Sequence, residues 1–253
     1  MSTKKERTVV VTGAAQGIGY AIAEAFVHNG DFVAICDINL PAAESAANKL
    51  QNAKGYKVNV TDEEDIKNFV QLLTAERGTI DVLVNNAGLQ HIDKVEDFPV
   101  DKWRLLIDVM LTGPFLMTKY VLPFMEEQQY GRIINISSVH GKMASPYKSA
   151  YVSAKHGVVG FTRTVAIETA NSGITVNAIM PGAVRTELVE KQLAKLAKED
   201  GTSEQEALEK HILGKQPMKR ILEPSEVGNV AVFLSSNEAA AITGDCLSVS
   251  GGW

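Results

Sequence analysis

Tyr151 and Lys155 stand four positions apart, a spacing that on a helix turns both side chains to one face and can set an ammonium beside a phenolic oxygen. Tyrosine titrates near pH 10 in water (~10) and is a poor base at neutrality unless a cation favours the phenolate. Such a pair can exchange a proton with a hydroxyl or carbonyl group. A second cluster could hold a nucleotide. Gly13, Gly17 and Gly19, with Gln16 and Ile18 among them, follow an apolar run at 8–12 and open a helical pattern. Backbone N–H groups and the positive end of the helix dipole would there face an anion such as a pyrophosphate. The spacing, Gly-x-x-x-Gly-x-Gly, departs from the common Gly-x-Gly-x-x-Gly turn. Asp37, 18 positions after Gly19, ends the next apolar run, where a carboxylate can accept from both ribose hydroxyls. It would repel a 2′-phosphate, and Ala14, Ala15, Gln16, Ile38 and Asn39 offer no cation to attract one. The expected cofactor is therefore NAD rather than NADP. Taken singly, the glycines could serve tight packing, Asp37 a turn, and the Tyr–Lys pair the surface.

These residues must be positioned by alternating elements. Strand-like runs fall at 8–12, 32–36, 55–60, 82–85, 132–136, 175–179 and 246–249, and helical periodicity at 18–28, 41–51, 63–76, 101–127, 150–170 and 224–235. Such alternation predicts right-handed βαβ crossovers. The apolar continuity of the strands fits a parallel sheet covered on both faces. The expected fold is a single α/β domain of the Rossmann kind spanning residues 1–253, a doubly wound sheet of seven parallel strands. The segment 185–220 breaks the rhythm with two amphipathic helices, parted at Asp200-Gly201 and restarted by a capping-box pattern at Ser203 and Glu206. It reads as a small helical lid over the site, or as a hairpin that only packs.

With further motifs the chain resembles the short-chain dehydrogenase/reductase family over essentially its whole length. The carrying residues are the glycine turn, Asn85-Asn86-Ala87-Gly88, Ser138, Tyr151-x-x-x-Lys155, and Pro181-Gly182 with Thr186. The resemblance implies hydride transfer to nicotinamide. Tyr151 would exchange a proton with the substrate hydroxyl, Ser138 would bond the developing oxyanion, and Lys155 would also hold the nicotinamide ribose. By the same resemblance Asn86, Ala87 and Gly88 line the adenosine side, Pro181, Gly182 and Val184 bend around the nicotinamide, and Thr186 bonds its carboxamide region. Asn59-Val60 replaces the family's usual Asp-Val at the adenine, exchanging a carboxylate for an amide with an added donor. Met110 stands where the family has a catalytic Asn. A thioether cannot replace an amide, but Pro114 offers no N–H to the carbonyl of residue 110. That main-chain oxygen of Met110 would be left to hold a relay water; otherwise Met110 is core packing and the relay is absent.

Within the family, the segments 86–91, 137–141, 148–151, 188–192, 215–217 and 251–253 resemble the bacterial D-3-hydroxybutyrate dehydrogenases. The implied reaction is reversible, NAD-dependent oxidation of D-3-hydroxybutyrate to acetoacetate. Gln90, His140, Lys148 and Gln192 would cradle the substrate carboxylate, a convergence of donors suited to a small anion, with Gln192 arriving from the lid. Trp253 would offer apolar surface to the substrate methyl or pack at a subunit contact. Ala183 replaces the usual Trp beside the proline–glycine turn and is expected to enlarge the pocket. The competing readings are an uncharged alcohol, ketone or sugar as substrate, and a weakly catalytic NAD-binding or assembly protein.

A net charge of -5 with scattered basic residues gives no electrostatic reason for a nucleic acid partner. No apolar run approaches the ~20 residues needed to span a bilayer, so a soluble, cytoplasmic protein without a membrane partner is expected. Cys36 and Cys246 lack metal-ligand spacing and read as buried thiols. No His, Asp or Glu cluster has ligand spacing either, and a tyrosine acid needs no metal. The long helices at 101–127 and 150–170, with Val159, Phe161 and Val165 as surplus apolar surface, point to assembly, and the family resemblance implies that such helices pair across a two-fold axis in a homotetramer.

Overall fold

β1 (Thr8–Thr12) is buried at every position, and its alternation explains why. Val9 and Val11 face one cluster with Ile22, Phe26, Val227 and Leu234, while Val10 faces the other with Ile66, Leu83, Met117 and Val121. A strand sandwiched in this way needs apolar residues on both sides. The computed structural model describes residues 6–253, apart from the side chains of Leu188, Lys191, Gln192, Lys195, Glu199 and Lys215. β1, β2 (Phe32–Asp37), β3 (Ala53–Lys57), β4 (Val82–Asn85), β5 (Gly131–Ile136), β6 (Ile174–Pro181) and β7 (Cys246–Val249) form one sheet in the order β3-β2-β1-β4-β5-β6-β7. Every pairing is parallel. This is the expected seven-stranded Rossmann sheet. The order reverses between β1 and β4, so their carboxyl ends open the crevice in which such folds bind ligands.

One face of the sheet carries α1 (Gly17–His28), α2 (Leu40–Ala47) and α9 (Pro224–Leu234); the other carries α3 (Glu63–Arg77), α5 (Gly113–Glu127) and α6 (Ser149–Glu168). The edge strand β3 begins earlier than the expected 55–60 because its ladder runs from Val33↔Ala53 to Asp37↔Lys57. Val58 and Val60 continue the inward alternation past the last pair and leave the sheet to line the crevice.

The expected helix at 101–127 is three pieces: α4 (Val100–Ile107), a π-helical turn at Asp108–Thr112, and α5. Pro114 is not a kink in mid-helix but sits in the first turn of α5, where its missing N–H is tolerated. The wider turn before it is closed by Gly113 N–H donating to the Asp108 carbonyl. Val100–Glu127 is long and apolar enough to cross a bilayer by length and composition, although Asp101, Lys102, Arg104, Asp108 and Lys119 interrupt its apolar run. Yet Met117, Val121 and Met125 are fully buried against the sheet, as in the core helix of a globular domain. Val165 also corrects the reading of surface apolar residues, since it points into the core, whereas Phe115 and Ile167 are exposed. Cys36 is buried, while Cys246 on the edge strand is only partly so.

The excursion after β6 holds α7 (Glu187–Asp200) and α8 (Glu204–His211). Gly201, left-handed at φ 67°, ends the first, and the Ser203–Glu206 capping box starts the second. A parallel bridge Val184↔Leu222 pins its base. Leu193, Ile212, Leu213 and Ile221 form a small core of its own with Ala183.

Candidate active site

At the end of β1 the chain turns through Gly13, whose φ of 61° is left-handed and whose added Cβ would stand 2.8 Å from Ala87 Cα. Only glycine fits so close to the end of β4. Asn86 stitches the two strand ends together. Its Nδ2 donates to the carbonyls of Thr12 (2.9 Å) and Gly13 (3.1 Å), while Thr12 Oγ1 accepts from the N–H groups of Asn86 (3.0 Å) and Ala87 (3.1 Å). A Cβ on Gly19 would meet Asn86 Nδ2 and Gly13 O at 2.5 Å. The turn is thus fixed at the start of α1, where the N-cap Gln16 makes no side-chain capping bond to the first N–H groups, an arrangement a pyrophosphate can use.

Above it lies a cavity of about 690 Å³ running from Asp37 to Tyr151. Gly13, Gln16, Gly17, Ile18, Gly19, Asp37, Asn59, Val60, Asn86, Ala87, Gly88, Tyr151, Lys155, Pro181, Gly182, Val184 and Thr186 all line it, so the structure brings together every residue expected at the cofactor. The Asp37 carboxylate accepts the N–H of Asn39 (3.1 Å) and of Ala15 (3.4 Å), which holds it at the cavity's end with lone pairs to spare. Among the described residues Lys155, at the opposite end, is the single Lys or Arg in the lining. Glycine turn, carboxylate and elongated cleft fit a dinucleotide. Asn59 Oδ1 accepts from Thr61 N–H (3.1 Å) and Oγ1 (2.8 Å), leaving Nδ2 as the amide's contribution to the cleft. Thr186 caps α7, its Oγ1 accepting the Val189 N–H at 3.4 Å.

At the other end α6 carries Tyr151 and Lys155. Lys155 is 4% exposed, and its ammonium donates to the Ile136 carbonyl at 2.7 Å. Burial brings it down from 10.5 to about 8. Its Nζ stands 5.6 Å from the centre of the Tyr151 ring. The expected acidification of the phenol by this cation is not what the fold produces. Burial raises Tyr151 above its ordinary value, and the hydrogen bond with Ser138 lowers it by less. Desolvation outweighs a cation already engaged by a carbonyl. Ser138 Oγ accepts the His140 N–H at 3.2 Å and lies 3.3 Å from His140 Nδ1. The His140 ring meets Tyr151 and Trp253 edge to face, each with centroids 5.9 Å apart.

The expected carboxylate cradle is thus partly gathered. His140 and Trp253 stand beside Tyr151, while Gln90 and Lys148 lie on loops joined by Asp93 N–H donating to the Tyr147 carbonyl (2.9 Å). Gln90 turns its Oε1 to the N–H of His91 (3.1 Å). None of Gln90, His140, Lys148 and Trp253 lines the large cavity, and the side chain of Gln192, on α7, lies outside the described residues. Ala183 does not open a pocket as expected: it is buried in the lid's own core, against which Trp253 packs. Met110, in the π-turn, is 1% exposed and packs with Leu106, Ala150 and Ala154, so its side chain faces apolar neighbours. Two contributors were absent from the sequence reading. The Ile136 carbonyl has no side-chain signature, and the buried ladder Asn85 Nδ2 to Asn135 Oδ1 (2.8 Å), Asn135 Nδ2 to Thr162 Oγ1 (2.9 Å) was signalled only by amides in apolar runs.

A family model described as Enoyl-(Acyl carrier protein) reductase matches residues 13–253. An uncharacterised oxidoreductase of Bacillus subtilis is 44% identical over 98% of both chains. A D-beta-hydroxybutyrate dehydrogenase of Rhizobium meliloti is 40% identical, again over 98% of both. A 3-oxoacyl-[acyl-carrier-protein] reductase of Vibrio harveyi is 38% identical over 97% of this chain and 96% of its own. Glycine turn, dinucleotide-shaped cleft and Ser–Tyr–Lys constellation agree with these likenesses: the chain is an oxidoreductase of the short-chain dehydrogenase/reductase family, whose members typically use NAD or NADP.

Proposed function

We propose that the protein catalyses the reversible, NAD-dependent oxidation of a small 3-hydroxy acid, D-3-hydroxybutyrate in the first instance, to the 3-oxo acid. The observation that carries the reading is His140, held beside Ser138 and Tyr151 and against Trp253. It puts a hydrogen-bonding imidazole and an apolar ring next to the proton-transferring groups, where a short acid has both a polar and an apolar end to place. Likeness to two D-beta-hydroxybutyrate dehydrogenases supports it.

The bound nicotinamide would supply the hydride acceptor. Tyr151 takes the hydroxyl proton, Ser138 steadies the oxygen from which it leaves, and Lys155 lends positive charge to that end of the cleft. Gln90, Lys148 and Gln192 complete the carboxylate's surroundings when the lid segment closes over it. NAD is preferred because Asp37 would meet the adenosine ribose with no Lys or Arg beside it among the described residues of the lining.

Steady-state rates with NAD and NADP, on 3-hydroxy acids of rising length and on the methyl ester of 3-hydroxybutyrate, test the reading. NAD should be preferred by at least about tenfold in kcat/KM, an energy of about 1.4 kcal/mol, and the acid should outrun its ester. An ester turned over faster would move the assignment to an uncharged substrate.

We also propose a homotetramer. Phe115 and Ile167 are 47% and 79% exposed on α5 and α6, and Phe115 pairs edge to face with Phe161. Apolar surface of this kind on two adjacent helices suits a two-fold helix contact. Sedimentation should give four times 27.3 kDa; a mass of one chain would overturn the assembly.

A further inference from the structure

We propose that Asn59 presents a donor to the nucleobase of the dinucleotide where selection of adenine calls for an acceptor, so that the hypoxanthine dinucleotide binds at least as tightly as the adenine one. This rests on the dinucleotide reading of the cleft, whichever alcohol is oxidised.

With a pyrophosphate at the glycine turn and the adenosine ribose at Asp37, the base continues past that ribose. β3 is the outermost strand, and the Val58 N–H, just after it, donates to the Asp37 carbonyl at 2.9 Å. Residues 58–61 therefore extend the cleft next to Asp37, and all four line it. Ile38, also in the lining, is 64% exposed. Together with Val58 and Val60 it offers apolar surface suited to the flat faces of a purine, whose edges need polar partners. The polar side chains among residues 58–61 are Asn59 and Thr61. A purine is joined to the ribose at N9, so the edge that carries position 6 lies on the side away from the sugar.

The orientation of the Asn59 amide is fixed by its neighbours. The Thr61 N–H can only donate, so the amide atom 3.1 Å from it is Oδ1, and the Thr61 hydroxyl donates to the same oxygen at 2.8 Å. Both lone pairs of Oδ1 are thus taken. The main chain is committed as well, the Asn59 N–H donating to Asp65 Oδ2 (2.7 Å) and the Asn59 carbonyl accepting the Asp62 N–H (3.0 Å). Nδ2 is different. It has no partner among the described residues, and it is not one of the buried polar atoms left unsatisfied, so it reaches open space in a residue that lines the cleft.

What this side chain offers a base is therefore two N–H bonds. The 6-amino group of adenine is itself a donor and gains nothing from them, whereas hypoxanthine carries a carbonyl at position 6, which accepts. A carboxylate at position 59 would act in the opposite sense. One of its oxygens could keep both Thr61 bonds while the other accepted from the amino group.

Calorimetric titration of the full chain with the reduced adenine dinucleotide and with its hypoxanthine counterpart gives two dissociation constants on one preparation. Both ligands carry or lack the 2′-phosphate according to which of NADH and NADPH binds the more tightly; binding of neither would overturn the dinucleotide reading and this inference together. The parent should bind the hypoxanthine form as tightly as the adenine form or up to about tenfold more tightly, the worth of one hydrogen bond. Asn59→Asp should turn the ratio of the two constants toward adenine by about tenfold or more, because a bond to a charged acceptor replaces a bond from a neutral donor. Taking the ratio within each preparation cancels any loss that weakens the site as a whole, and the parent comparison needs no variant to fold. A parent that binds the adenine form the more tightly would overturn the inference, since the 6-amino group would then have an acceptor elsewhere, such as Thr61 Oγ1. So would a ratio that differs by less than twofold between parent and Asn59→Asp, which would take Asn59 away from the edge of the base.

Discussion

Tyr151→Phe should lose about 10²- to 10⁴-fold in kcat, the range spanned by a positioned acid–base group, while NADH binding stays within about threefold of parent. The substitution removes one oxygen from a ring that stays wedged between His140 and the Leu106–Met110 cluster, so the cleft keeps its shape. Lost with it is the hydrogen bond with Ser138 and, on the proposed reading, the atom that meets the substrate hydroxyl. Turnover and cofactor affinity, measured on the same preparation, separate chemistry from binding. A variant that kept a tenth or more of parent kcat would remove Tyr151 from the chemistry and favour a binding or assembly role for the chain.

Lys155→Met should abolish turnover and yet stabilise the fold at pH 7. The buried ammonium titrates at about 8 against 10.5 in water. That difference of roughly 2.5 units, at about 1.4 kcal/mol each, is an upper bound of about 3 kcal/mol for holding the charge inside. Loss of the bond to the Ile136 carbonyl returns about 1 kcal/mol of it, so the variant should gain about 2 kcal/mol. Because the folded value is depressed, the unfolded chain binds more protons between pH 8 and 10.5, and the parent becomes more stable as pH rises through that window. The variant has no such group, so its advantage should shrink above pH 8 and reverse before 10.5, where only the lost carbonyl bond remains. Urea midpoints at pH 7 and pH 10 check both sign and slope; a variant less stable than parent at pH 7 would show that the carbonyl bond outweighs the desolvation of the charge.

How far the sequence foretold this arrangement depends on where the information sits. Gly13, Gly19, Asp37, Tyr151 and Lys155 were legible because glycine, carboxylate, phenol and amine each have a chemistry that survives without coordinates, and their spacings match a strand end or a helix face. The parallel, doubly wound sheet was legible from alternation and handedness, whereas the order of its strands comes from the structure. Three things were not legible. The partner that holds Lys155 is a main-chain oxygen at Ile136, which any residue type would supply. The π-turn before Pro114 arises from a hydrogen-bond register that a helical pattern does not encode. The space beside Ala183 is governed by Leu193, Ile212, Ile221 and Trp253, distant in sequence, so counting atoms at one position predicted room where the lid's core stands. β3 was placed late for a related reason. Tyr56, Val58 and Val60 alternate smoothly, but the neighbouring strand β2 ends at Asp37 and can pair no further.

The amide ladder of Asn85, Asn135 and Thr162 has a consequence for how such a chain can drift over generations. Each of the three is buried, and exchanging any one for an aliphatic residue strands a neighbour's polar atom away from water, a cost of about 1–3 kcal/mol. Exchanging all of them together for apolar groups of like volume could be nearly neutral. Single steps out of this arrangement descend in fitness while the joint change does not, so lineages that inherit it are expected to keep it whole or lose it whole.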